Sequence, residues 1–427
     1  MEYKHVVTSF LQRDQLILLL RRSRQVRTYQ GKWAAVSGSL KENENPRERA
    51  QIEINEETAL TPRDITLVRI GELLRVYDRE KDTVWIVHPF LFTALTSTIR
   101  VNWENSEYEW VDTDDITNFE TVPSLREAFD RVRWDLTPTA SLSRAIAIVD
   151  EIDNDRMNGA SHLGRKAVEG IHIAVQDSIA ETKNDLFRDI LMVATRLRHV
   201  QPTMAPIKNT TGRLLHKIDS ARQTSKSTVE YRKLIEQMSQ EEIIENENAA
   251  ELVSRNLRDI IARKNRILTH SYSSTVKRAI QLCPNRGLHI YVTESAPGFE
   301  GRALSHDLAE LGFNSIVLPD TAASAFPFQF DAVVLGADSV LNDGSIVNKV
   351  GTKIIARTAQ QSHIPVYIAA ERSKLDCMHF LGVPLILNET FDLTPADCIT
   401  SIITEIGEMK PIKVREQIES LVGELYT

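Results

Sequence analysis

The chain has 427 residues, 42% of them hydrophobic and 26% charged, and a formal net charge of −8 at pH 7. This length exceeds one ordinary domain and predicts two or three, and the composition is globular rather than disordered. The acidic balance excludes an overall basic surface, so nucleic acid is not an expected partner.

The first residues, MEYKHVVTSFLQ, lack the charged-then-apolar layout of a signal peptide. The apolar run LILLL is far short of the ~20 residues that a membrane span needs. Cys283, Cys377 and Cys398 form no CxxC or Cys/His pattern, which indicates neither a disulfide framework nor a zinc site. Together these predict a cytoplasmic protein without membrane contact. A local basic run, RRSRQVR (21–27), reads as a solvated hairpin that could also meet phosphates.

Residues 1–140 read as strands around one strong helix, from about Pro46 to Thr58, with the proline in the first turn where it is tolerated. On that helix Glu53, Glu56 and Glu57 stand at i, i+3 and i+4 and share a face. Like charges so placed cost roughly 0.2–0.5 kcal/mol per pair, and a hard divalent cation with oxygen ligands removes that cost. A solvated acidic face explains the same three residues less specifically. The spacing around them is wider than a helix face: Gly38, Glu44, Glu53-Ile54, Glu56-Glu57, then Leu60.

This pattern resembles the Nudix box, G-x5-E-x7-R-E-U-x-E-E-x-G-U, with departures at Ile52 (arginine in the box) and Ala59 (glycine in the box). QGKWAAVSG before it, VWIVHPFLF (84–92) and WENSEYEWV (103–111) are similar to strands of that fold, and TVPSLREAF (121–129) to its closing helix. The resemblance implies an α/β/α sandwich and metal-dependent hydrolysis of a nucleoside diphosphate linked to another group. It implies Mg²⁺ (or Mn²⁺) at Glu53, Glu56 and Glu57, with Gly38 in the metal set. Those three glutamates become the catalytic candidates, Glu53 or Glu57 as base, and Glu107 an extra carboxylate. In the family the box arginine orients a glutamate, which Ile52 cannot do. Loss of such a partner costs about 10–100-fold in metal affinity or activity, so a weakened enzyme and a non-cutting nucleotide binder both stay open.

Residues 141–262 change character, and helical periodicity dominates. LFRDILMVATRLRHV (186–200) is amphipathic, and 228–264 reads as one or two long helices. From Arg266 onward, short apolar runs (RILTH, LHIYVTES, NSIVLPD, DAVVLGAD, IPVYIAAE) alternate with helical stretches. That rhythm predicts parallel β–α units in a doubly wound, Rossmann-like sheet over 263–427, its strands covered on both faces. Ligands in such sheets bind at the carboxyl ends of the strands. There lie THSYSS (269–274), TESAPGFEGR (293–302), GADSVLNDGSIVNKVGT (336–352) and AAERSKLD (369–376). Asp338 ends an apolar strand. Asn348 and Lys349 are read as opening the next helix, which suits a phosphate or a plain cap.

These segments resemble the initiation factor 2B alpha/beta/delta family, whose superfamily includes methylthioribose-1-phosphate and ribose-1,5-bisphosphate isomerases. The likeness covers roughly residues 145–427, with HVQPTMAPIKN (199–209) matching its helical part. Asp338 matches the isomerases' aspartate. Their cysteine position is Ser271 and their arginine position Ala296. A thiol with pKa near 8.5 exchanges protons near neutral pH; a serine hydroxyl does not. The regulatory alpha subunit has a similar THxYS, which makes the non-catalytic branch the nearer one. The resemblance therefore implies a site for a sugar phosphate or nucleotide at Ser271, Arg302, Asp338, Asn348 and Lys349, and a homo-oligomer formed through this region. Three readings follow: a Nudix hydrolase fused to a binding and oligomerising region; an enzyme throughout, with a sugar-phosphate isomerase using Asp338 and another acid; or two sensors without catalysis.

Overall fold

A computed structural model describes residues 2–426 except 15, 42–43, 72, 79–81, 134–139, 157, 286, 325–329 and 381–384. The described residues fall into two compact units, within 1–137 and within 138–380 plus 384–425.

The first unit is a mixed sheet of β1 (Glu2–Arg13), β2 (Leu16–Arg22), β3 (Trp33–Ala34), β4 (Val36–Ser39), β5 (Ile65–Ile70), β6 (Leu74–Asp78), β7 (Thr83–Ala94) and β8 (Asn105–Asp112). β1 and β7 run parallel along the centre, and β2 pairs β8 antiparallel. Side chains alternate across a strand, and β2 shows the consequence. Ile17 and Leu19 join the core beneath α2 (Leu125–Asp130), whereas Leu18 and Leu20 join the core beneath α1 (Pro46–Thr58). LILLL is thus a strand buried on both faces of an α/β/α sandwich. α1 starts where expected: Asn45 accepts hydrogen bonds from the N–H groups of Arg47 and Glu48, with Pro46 next. It ends at Ala59, which holds a left-handed φ of 60°.

The second unit opens with five helices: α3 (Ser143–Asn154), α4 (Ala160–Asp177), α5 (Lys183–Leu197), α6 (Ala205–Thr224) and α7 (Thr228–Ile261). The last is one continuous helix, started by Ser227 accepting from the Glu230 N–H. Its Val253, Leu257 and Ile261 pack into the core of the following sheet. That sheet comprises β9 (Arg266–Thr269), β10 (His289–Thr293), β11 (Asn314–Leu318), β12 (Ala332–Gly336), β15 (Val366–Ala369), β17 (Ser401–Thr404) and β18 (Gly407–Met409). The order is β11-β10-β9-β12-β15-β17-β18, all parallel except β18. The direction of winding reverses between β9 and β12, the switch point at which doubly wound sheets bind ligands. Helices α8 (Ser274–Gln281), α9 (Glu300–Glu310) and α10 (Thr352–Gln361) follow β9, β10 and the hairpin after β12. Among the described residues no helix is long and apolar enough to cross a membrane.

Two expectations are corrected. β11 is not covered on both faces: as the edge strand it leaves Ile316 and Val317 about 40% exposed. Asn348 and Lys349 do not open a helix. They end β14 (Ile346–Lys349), which pairs β13 (Ser339–Val340) and β16 (Phe391–Thr394) in a small antiparallel sheet. The β-branched Ile346 and Val347 favour the strand, and Gly351, at φ 104°, makes the break before α10.

Candidate functional site

In the first unit, α1 brings its glutamates under β4, but each is held differently. Glu57 is buried; Oε1 accepts the Ser37 N–H at 3.0 Å and Oε2 the Asn105 Nδ2–H at 2.8 Å. Burial pushes its carboxyl up to about 7, against those two hydrogen bonds, and the charges of Glu53 and Glu104 add to the rise. Glu53 is also buried and raised by burial, with Arg49 opposing. Arg49, one turn earlier, donates to Glu53 Oε1 and lies 3.9 Å from both Glu44 and Glu56. Glu56 is more than half exposed. Glu44 Oε2 accepts the Lys41 N–H at 3.0 Å. A Cβ on Gly38 would fall 1.6 Å from Glu53 Oε1, so only glycine leaves room for that carboxylate.

Sequence reasoning missed Arg49, Asn105 and Glu104. The i,i+4 spacing of Arg49 and Glu53 was a usable signal; the other two depend on the long-range β2–β8 register. Glu107 is not brought to the cluster. It pairs with Arg21 opposite it at 2.7 Å, half exposed. Among the described residues no three acidic or histidine side chains converge closely enough to form a ready metal cage. Arg49 occupies the space between Glu44, Glu53 and Glu56, while Glu57 is turned to Ser37 and Asn105. The donors are all hard oxygens, with the Glu53 carboxylate seated against Gly38; in kind, the set suits a divalent cation. Beside it lies a cavity of about 170 Å³ lined by Ser37, Gly38, Arg22, Tyr29 and Trp85 among others.

In the second unit, a cavity of about 380 Å³ opens at the switch point, and Ser271, Asp338, Asn348 and Lys349 all line it. Arg302 does not. It pairs with Glu294 at 2.6 Å, lies over the Phe299 ring and is exposed. Burial pushes the Asp338 carboxyl up to about 6, against Lys374, the Ala160 N–H and Lys349, while Glu300 adds to the rise. Lys374 pairs with buried Glu371 at 3.0 Å, and Lys349 with buried Glu300 at 2.6 Å. Asn348 Nδ2 donates to Thr352 Oγ1 at 3.0 Å.

His270 is buried, and burial lowers its pKa, so the ring is neutral at pH 7. Nε2–H donates to the Val350 carbonyl at 2.9 Å, leaving Nδ1 to accept from Thr293 Oγ1. A Cβ on Gly351 would stand 3.0 Å from this ring. Ser271 adopts φ 62°, and its N–H donates to Ser295 Oγ at 2.7 Å. No described residue hydrogen-bonds its hydroxyl. His270 and Glu300 were not foreseen as site residues; both face the cavity only through the packing of β9 against β10 and α9.

An α/β/α sandwich with a box-like glutamate helix, followed by a helical layer and a 3-2-1-4-5-6 parallel sheet with its cavity at the switch point, defines a two-part class of protein. The NUDIX domain model matches residues 3–132. The Initiation factor 2 subunit family model matches residues 156–384, more than half of the chain, and the protein belongs to that family. The putative translation initiation factor eIF-2B subunit 2-like protein of Pyrococcus horikoshii is 30% identical over 284 residues, 63% of this chain and 97% of the relative. Ribose 1,5-bisphosphate isomerase of Pyrococcus furiosus is 28% identical over 290 residues, 62% of this chain and 90% of the relative. The crystal structure of the tetrameric eIF2B-beta2-delta2 complex from C. thermophilum shares the fold, with TM-score 0.55 and 18% identity over 67% of this chain and 96% of that one. The fusion reading of the sequence is therefore supported on both sides.

Proposed function

We propose that the first unit is a divalent-metal-dependent pyrophosphohydrolase acting on a nucleoside diphosphate derivative or similar phosphorylated compound. The observation that carries this is the pair of buried carboxylates, Glu53 and Glu57, side by side under Gly38. Glu53, Glu56 and Glu57 would hold Mg²⁺ or Mn²⁺, with Gly38 leaving the space. When bound, such an ion neutralises phosphate charge and lowers the pKa of water. The chain's own part is positional. Arg49 fixes Glu53 through Oε1, and Ser37 and Asn105 fix Glu57 through both oxygens. Glu53 or Glu57 takes the proton of the attacking water. The loss of the box arginine at Ile52 is offset by Arg49 on the same helix face.

The second unit binds a sugar phosphate or nucleotide in the switch-point cavity and joins a second copy of the chain, as the tetrameric relative of the same fold suggests. An isomerase reading is favoured by one observation, an Asp338 carboxyl near pKa 6 in that cavity. Against it stands Ser271, whose hydroxyl has no hydrogen-bond partner among the described residues.

The test incubates the protein with Mg²⁺ or Mn²⁺ and a panel of nucleoside diphosphate derivatives, beside a Glu56→Gln/Glu57→Gln control, and follows the phosphorylated products. Turnover that the control loses supports hydrolysis. No turnover across the panel moves the first unit to a binding role.

A further inference from the structure

Asn209, Arg213, His216 and Lys217 stand three and four residues apart on α6 and so share a face. All four line a cavity of about 220 Å³. The rest of its wall comes from the short turn Arg372–Lys374, from Cys377 of α11 (Cys377–Phe380) and from Leu421 of α12 (Val414–Tyr426). Asn209 pins that turn to α6: its Nδ2 donates to the Ser373 carbonyl at 2.7 Å and to the Leu375 carbonyl at 2.6 Å. Arg372 and Ser373 thereby line this cavity, whereas the adjacent Lys374 lines the switch-point cavity. The turn separates two distinct cavities.

The lining is one-sided in charge. Arg213, Lys217 and Arg372 bring cations, and among the described residues no carboxylate lines the cavity. The switch-point cavity, by contrast, includes Asp155, Glu300 and Asp338. The Cys377 thiol adds no negative charge, because burial pushes it up to about 12. Carboxylates meet these cations only from outside the lining. Buried Glu242 of α7 accepts from both Arg213, at 2.9 Å from Nε, and Lys217, at 3.2 Å, one charge against two. Glu245, more than half exposed, lies 3.5 Å from Lys217. Glu405 accepts the Arg372 backbone N–H at 2.9 Å; burial raises its carboxyl, and the Arg372 charge opposes the rise. The Arg213 and Lys217 side chains are each about a third exposed, so they can be reached from solvent. A cleft lined by one sign of charge concentrates the opposite ion, and arginine donors match the oxygens of a phosphate.

We propose that this cavity is a second anion site of the chain, which takes a phosphate-type oxyanion, free or as the end of a small ester, on Arg213, Lys217 and Arg372 with Ser373 donating. It does not depend on the role assigned to the switch-point cavity.

The test is equilibrium dialysis of the full chain against radiolabelled inorganic phosphate, for the wild type, Lys217→Gln, Arg372→Gln, Ser373→Asp and Arg302→Gln. Lys217→Gln and Arg372→Gln should each weaken phosphate about tenfold, the scale of one charge-assisted hydrogen bond. Ser373→Asp sets a carboxylate among the same cations and should abolish the binding; it removes no ion-pair partner and serves if a charge-removing variant fails to fold. Arg302 is exposed and lines neither cavity, so Arg302→Gln should bind as the wild type does. A wild type that retains no phosphate overturns the inference. So does binding that the three cavity variants leave unchanged, which puts the phosphate elsewhere, the switch-point cavity included. An equal loss in Arg302→Gln overturns it as well, since the attraction is then diffuse. Glycerol 3-phosphate that displaces the label more readily than phosphate itself identifies an ester as the occupant, and weaker displacement identifies the free ion; either supports the site.

Discussion

The two units carry buried acids in opposite ways. In the first, a single guanidinium, Arg49, faces Glu44, Glu53 and Glu56, and among the described residues the partners of Glu57 are the neutral Ser37 and Asn105. In the second, two lysines that line the cavity each have their own carboxylate, Lys374 with Glu371 and Lys349 with Glu300. A cluster left net negative is suited to an added cation. The two lysine pairs of the cavity belong to the stability of the unit, and among its described lining residues Arg156, which donates to the Asp153 and Asp155 carbonyls, carries a charge that no such pair closes. The difference therefore separates a site whose acids share one cation from one whose two lysines are each closed on a carboxylate.

The largest effect should come from breaking a closed pair. Lys374 and Glu371 side chains are 5% and 2% exposed. Removing one partner of such a pair strands the other and costs about 3–5 kcal/mol. Lys374→Met should lower the denaturation midpoint of the full chain accordingly. A loss below about 1 kcal/mol, the range of an exposed pair, would show that Glu371 is not dependent on its lysine and would erase the contrast.

Asp338 offers a pH test of the same cavity. Its folded-state pKa, about 6, is raised above the ordinary 3.8. The protonated form therefore favours the folded state, fully below about pH 3.8, and that contribution is lost as pH rises through about 6. Asp338→Asn removes the titration. It should be more stable than the wild type at pH 8, by at most ~3 kcal/mol, and the gap should shrink toward pH 4. Thermal melts across that range check it. A gap that stays constant with pH would place the charge of Asp338 in solvent.

On the open side of the comparison, Arg49→Ala should weaken Mn²⁺ binding about 10–100-fold, the range for losing a residue that orients a ligand. Electron paramagnetic resonance titration of Mn²⁺ reads this without turnover. Adding Ile52→Arg to that variant should recover much of the loss, because it restores the family's own position for the cation. Tighter Mn²⁺ binding in Arg49→Ala would instead make Arg49 a competitor for the glutamates.

How legible this was in the sequence depended on range. The helix Pro46–Thr58 and the buried strands followed from local patterns: a proline in the first turn, glutamates at helical spacing, and short apolar runs between helical stretches. The sheet order emerged only in its class. Asn348 and Lys349 were misplaced because β13 and β14 are only two and four residues long, too short for alternation to register. In the segment 293–302 the sequence reading singles out Arg302 and passes over Glu300. Residues two apart on a helix do not face the same way, and one lines the cavity while the other reaches Glu294. Asn105 meets Glu57 across 48 positions, a contact no local pattern encodes.

The smallest effect tests whether the two departures from the box have the same meaning. Ala59 stands where the box has glycine, and its φ of 60° and ψ of 11° are left-handed. Its N–H closes the helix on the Asn55 carbonyl at 2.9 Å, the arrangement glycine serves at helix ends. An alanine there carries a Cβ penalty of roughly 1–2 kcal/mol. Glycine removes it but adds freedom to the unfolded chain, so Ala59→Gly should stabilise by about 0.5–1 kcal/mol in thermal melts. Ala59 acts on the end of the helix through its N–H to the Asn55 carbonyl, so Mn²⁺ affinity should not move. Position 59 would then bear on stability alone and position 52 on the metal site. A change in Mn²⁺ affinity in Ala59→Gly would mean instead that the end of the helix sets the reach of Glu56 and Glu57, and the open cluster would be held by the backbone as much as by Arg49.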